Sequence, residues 1–76
     1  MMGAVPPMEM MAMMIYRSSL DAPRNFAGYT LWLQILDAGR WYEVCELRPA
    51  DARQVLRWLD RHPQRTNIRV TGTHLP

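Results

Sequence analysis

The sequence holds a single cysteine, Cys45, so no disulfide can close within the chain. A stapled secreted miniprotein and a multi-cysteine zinc module are both excluded. No run of about 18 apolar residues occurs, so the sequence offers no transmembrane helix. Lysine is missing altogether: all nine basic residues are arginine. Codon usage in a GC-rich genome gives this bias. So does selection for forked donors that grip a carboxylate or phosphate in two places, and the two origins are compatible. The chain has no glycine-rich phosphate loop and no internal repeat.

What is present describes one small domain. The chain has 76 residues, 49% hydrophobic and 21% charged, an ordinary balance for a globular domain and too apolar for wholesale disorder. A chain of this length buries only about 60% of its unfolded surface, so its stability margin is thin. Charge is unevenly placed. Residues 1–47 carry three arginines against five acids, a net of −2, and residues 48–76 carry six against two, a net of +4. The total of +2 is too weak to announce nucleic-acid binding, although the basic C-terminal half keeps that reading open.

All seven methionines lie within the first fourteen residues. No basic residue precedes Arg17, and Pro6, Pro7 and Glu9 interrupt the apolar run, which is unlike a secretory signal. Residues 1–7 read as a mobile Met/Pro leader and residues 8–76 as a single α+β domain, cytoplasmic in location. Met10 to Tyr16 reads as a first strand. Residues 18–28, with Pro23, Asn25 and Gly28, read as a loop.

Tyr29 to Leu47 reads as a hairpin around Asp37-Ala38-Gly39. A two-residue turn would force a positive φ on Ala38, so a three-residue loop with Gly39 alone left-handed is expected. That register sets Leu36 against Arg40, Ile35 against Trp41, Leu33 against Glu43 and Leu31 against Cys45. The core face then collects Tyr29, Leu31, Leu33, Ile35, Trp41, Cys45 and Leu47, with Glu43 as a charged intruder. The other face collects Trp32, Leu36, Tyr42 and Val44, beside Arg40 and Glu46.

Residues 49–62 read as a helix. Pro49 suits its first position, Asp51 suits its positive end, and Pro63 stops it. Ala52, Val55, Leu56 and Leu59 form an apolar stripe. Arg53, Arg57 and Arg61 form a basic stripe expected to face solvent. Trp58 lies on the flank, beside Asp51 and His62. Thr66 to Thr73 reads as a last strand, with Ile68 and Val70 on one side and Asn67, Arg69 and Thr71 on the other. The expectation is a small, mostly antiparallel sheet of three to four strands with one α-helix packed on one face, in the order β-β-β-α-β.

No catalytic constellation emerges. Cys45 falls on the inferred core face, where burial makes a thiol inert. His62 suits a helix C-terminus, and His74 lies in the tail. Neither is spaced to pair with Ser18, Ser19 or Cys45, and two distant histidines do not make a metal site. No cofactor, metal or membrane partner is expected. The open sheet face with Trp32, Leu36, Tyr42, Val44 and Arg69 has the composition of an interface centre. Residues 8–28, a second copy in a homodimer, or a foreign protein would each cover it. The arginine stripe and Trp58 offer a second surface.

The function expected is therefore a non-enzymatic protein-binding module, an adaptor or inhibitor that occupies a surface of a larger complex. Very short, catalytically empty proteins of bacteria and their phages, the anti-CRISPR inhibitors among them, share this size and composition, with no motif behind the analogy. The alternative is a small RNA- or DNA-binding module that stacks bases on Trp32 and Tyr42 and holds phosphates at Arg69.

Overall fold

The computed structural model describes residues 12–74. The proposed leader, and the start of the first strand at Met10, lie outside those residues. Four strands and one helix follow the expected order: β1 (Met13–Tyr16), β2 (Tyr29–Asp37), β3 (Arg40–Leu47), α1 (Pro49–Asp60) and β4 (Ile68–His74). They form one sheet in the order β1-β4-β2-β3. Every neighbouring pair is antiparallel, and α1 packs against one face. The fold is a small α+β domain.

The hairpin differs from expectation in an instructive way. Asp37 pairs with Arg40, so the turn is the two-residue Ala38-Gly39. Both residues take positive φ, 51° at Ala38 and 79° at Gly39, the signature of a type I′ turn whose twist matches the flanking strands. That gain outweighs the strain on Ala38. The turn sets Leu36 against Trp41, Ile35 against Tyr42 and Gln34 against Glu43. Continued unbroken, it would set Leu31 against Glu46. Instead a β-bulge at Val44 shifts the register, and Leu33 meets Cys45 and Leu31 meets Leu47. One extra residue thus lets a tight turn and an apolar core coexist on the same strand. The two-residue turn also moves Glu43 off the core face, to stand opposite Gln34. Trp41 and Tyr42 consequently exchange the faces expected of them.

The core forms where α1 crosses β2 and β4. Tyr16, Phe26, Leu31, Ala52, Leu56, Leu59 and Val70 are buried there. The helix stripe supplies three of them, with Val55 partly buried at its edge. Leu33, expected to be buried with Leu56, is only half-buried. Phe26, read as part of a loop, is a core residue. Its ring packs edge-on to Tyr16 at 5.9 Å and to Tyr29 at 6.1 Å. The two tyrosines crowd Gly72, where an added Cβ would come within 3.0 Å of Tyr16 and 3.3 Å of Tyr29. Close approach of aromatic rings to a strand backbone is what a glycine mid-strand permits.

The helix begins as the sequence implies, with Pro49 in its first turn and no side-chain cap from Arg48. Arg48 instead pairs with Asp51 at 3.3 Å. Arg17 reaches the outer sheet face at Trp41, but residues 18–28 do not fold over it. They run along the helix, where the Ser19 amide and hydroxyl both donate to the Asp60 carboxylate. No helix among the described residues is long and apolar enough to cross a membrane.

Candidate functional site

The two sheet faces have different chemistry, and the expected binding residues are divided between them. On the outer face lie Trp32, Gln34 and Leu36 of β2, Trp41, Glu43 and Glu46 of β3, and Arg69 and Thr71 of β4, as the pairing requires. Ile15 joins them from β1. Three of the polar residues are buried although no helix covers them: Thr71 is 2% exposed, Gln34 6% and Arg69 8%. Long neighbours roof them over. Arg69 donates from Nε to Gln34 Oε1 at 2.8 Å, and its guanidinium carbon lies 3.9 Å from the Trp41 ring centroid. Burial, and then the charge of Arg17, lower the pKa of Arg69 below the usual arginine value. The face expected to be an open apolar patch is a polar and aromatic layer that largely satisfies itself.

The helix side of the sheet holds a concave uncovered apolar surface. Leu31 and Val70 lie beneath α1, but α1 does not reach the far ends of β2 and β4. There Leu33 and Ile35 of β2, Ile68 of β4, and Gln54, Val55 and Trp58 of α1 line an open groove of about 370 Å³. Trp58 forms the helical wall. Its ring stacks on His62 with centroids 3.9 Å apart and planes 15° from parallel, and His62 Nδ1 lies 2.8 Å from the Trp58 carbonyl oxygen. His62 thus braces the helix end and the tryptophan together, an extension of the terminal role expected for it.

Tyr42 stands beside this groove, because it pairs with Ile35, and it is 49% exposed. Its expected place beside Trp32 is overturned by the two-residue turn. Val44, the bulge residue, is 53% exposed. Cys45, expected to be buried and inert, is exposed. It does share the face of Leu33, but β3 is an edge strand that the helix leaves uncovered. Of the expected residues, Trp32, Leu36 and Arg69 therefore share the outer face, Trp58 and Tyr42 flank the groove, and Val44 interrupts the β3 edge.

The arginine stripe is also divided. Arg57 and Arg61 are exposed. Arg53 is not a solvent-facing residue: it donates to the carbonyl oxygens of Pro23 at 3.1 Å and Arg24 at 2.7 Å and covers the Phe26 ring. Its spacing from Arg57 and Arg61 is helical, yet it lies at the helix border where the 17–28 segment packs.

Among the described residues, no three His, Cys, Asp or Glu side chains are grouped as a metal ion would need. The Ser19 hydroxyl is engaged by Asp60, and His62 by the Trp58 backbone and ring. His74 sits in β4 with its ring edge-on to Tyr29, 4.8 Å away. The chain matches no protein-family model, no curated protein and no solved structure.

Proposed function

We propose that this chain is a protein-binding module that receives apolar side chains of a partner protein in the groove between α1 and the uncovered end of the sheet. The observation that carries this reading is the lining. Leu33, Ile35, Val55, Trp58 and Ile68 meet in one concave surface, with Gln54 as its single polar member. Filling such a surface removes apolar area from water, at about 25 cal/mol per Å². Tyr42, on the same face as Ile35, extends the aromatic surface beyond the groove, and an aromatic wall such as Trp58 is the residue type that dominates interface energetics. An adaptor or inhibitor needs only such a surface and a rigid scaffold beneath it.

The nucleic-acid reading has less support from the geometry. It required Trp32, Tyr42 and Arg69 on one face, and Tyr42 belongs to the other. Trp41, which replaces it, already carries the Arg69 guanidinium.

The test compares capture by three proteins: the native chain, a groove variant (Ile35→Asp with Trp58→Ala), and an outer-face variant (Trp32→Ala). Each is first checked for folding by circular dichroism and for mass by light scattering. The groove variant is expected to lose a nuclease-resistant partner that the native chain and the outer-face variant retain. A native mass of twice the chain that the groove variant halves would identify the partner as a second copy. Loss of capture in the outer-face variant alone, or capture abolished by nuclease, would overturn the proposal.

A further inference from the structure

The outer face brings two cations to one aromatic ring with no ion-paired carboxylate among the described residues. The Arg69 guanidinium lies 3.9 Å from the Trp41 centroid and that of Arg17 lies 5.9 Å from it, both within the reach of a cation–π contact. The side chain of Arg69 is almost wholly buried, and its Nε is fixed by Gln34, so the plane of the fork is set in advance. Among the described residues the one ion pair is Arg48 with Asp51. No described carboxylate comes within 4 Å of either guanidinium; the Asp21 carboxylate beside Arg17 accepts from its backbone amide at 3.2 Å instead. A guanidinium removed from water next to a like charge is unfavourable. The depressed pKa of Arg69 has this same origin.

The acidic residues of this face decide what anion fits. Glu43 stands beyond Gln34 and Glu46 beyond Trp32, both on β3, and both are exposed. A polyanion extended across the sheet would meet them. A single oxyanion on the β1–β4 side would not. Two guanidinium groups match a dianion in charge, and each can grip two of its oxygens. We infer that Arg17 and Arg69, held against Trp41, form a receptor for one phosphate dianion, free or carried as a monoester. This site is independent of the groove on the opposite face.

The experiment titrates the full chain with inorganic phosphate and with O-phosphoserine, against chloride at matched ionic strength. Intrinsic tryptophan fluorescence and the thermal midpoint are both followed. A saturable fluorescence change and a rise in midpoint with phosphate, as mass action requires of a ligand bound to the folded state, are expected. Trp41→Phe should remove the fluorescence response. Arg17→Gln, an exposed position, should weaken binding at least tenfold, whereas Arg57→Gln should leave it unchanged. Arg69→Lys keeps the charge but loses the fork, and should weaken binding while the protein still folds. Tighter binding of phosphoserine than of phosphate would assign the site to an esterified group. The reverse order would assign it to the free anion, and either supports the shared chemistry. The proposal is overturned if chloride reproduces the shift, or if Arg17→Gln binds as the native chain does. It is also overturned if single-stranded oligothymidylate binds while neither monophosphate does.

Discussion

The Arg53 guanidinium lies 4.6 Å from the centre of the Phe26 ring, and the same fork donates to the carbonyl oxygens of Pro23 and Arg24. One helical arginine therefore closes the polar and the apolar side of the 17–28 segment at once. It satisfies backbone oxygens that the segment cannot satisfy itself, and it seals an aromatic residue of the core. Truncation to alanine removes charge-assisted hydrogen bonds and stem packing together. Arg53→Ala is expected to cost roughly 1.5–3 kcal/mol, whereas Arg57→Gln with Arg61→Gln should change stability by no more than about 0.5 kcal/mol. Urea unfolding of the two variants checks this. Equal midpoints would show that the stripe behaves uniformly and that the loop contact is not held in solution.

Ala38 is the strained point of the hairpin. Its φ of 51° costs an L-residue with a Cβ roughly 1–2 kcal/mol, which asparagine relieves because its side chain tolerates the left-handed region. Ala38→Asn is expected to stabilise the protein by about 1 kcal/mol. In a domain of this size that raises the thermal midpoint by roughly 4–8 °C. A lowered midpoint would argue for a longer turn with Ala38 in an ordinary conformation, and with it for the register in which Tyr42 joins Trp32.

The contrast between the hairpin and the helix shows what a local pattern can carry. The start of α1 was legible from Pro49, and its buried stripe through Ala52, Leu56 and Leu59, the alternation of β4 and the element order from periods repeated over several residues. The helix, however, ends at Asp60, two residues before the expected His62. The register of β2 against β3 was not. It depends on a competition between turn twist, strain at Ala38 and apolar matching at Leu31, and the bulge at Val44 that settles it leaves no local mark. Glu43 was the one available signal: a charge on an otherwise apolar face is what a shifted register removes. Phe26 and Arg53 were misread for a different reason. Their roles arise from contact between a loop and a helix some 30 residues apart, which no period encodes. The groove was equally hidden, since it is defined by where α1 stops short of Ile35 and Ile68 rather than by any run of residues. Trp58 was the expected residue best placed to reveal it.

Asp60 gives the fold a calculable acid sensitivity. Its carboxylate accepts from the Ser19 hydroxyl and from the Ser19 amide. These bonds, in that order, hold its pKa below the ordinary aspartate value, with slight desolvation opposing them and a minor contribution from the Arg61 charge. A depressed folded-state pKa means that the unfolded chain takes up the proton first as pH falls. The stabilisation is therefore fully present well above the unfolded value of about 3.9. It is lost as pH falls through that value toward the folded one. Ser19→Ala removes the hydroxyl donor but keeps the amide, so part of the depression should remain; Asp60→Asn removes the titration altogether. The informative quantity is the difference between the curves of the three proteins. Thermal midpoints measured from about pH 6 to about pH 3 at constant salt should fall most steeply for the native chain, less for Ser19→Ala and least for Asp60→Asn. Three parallel curves would show that the Ser19–Asp60 contact does not tie the 17–28 segment to the end of α1 in solution.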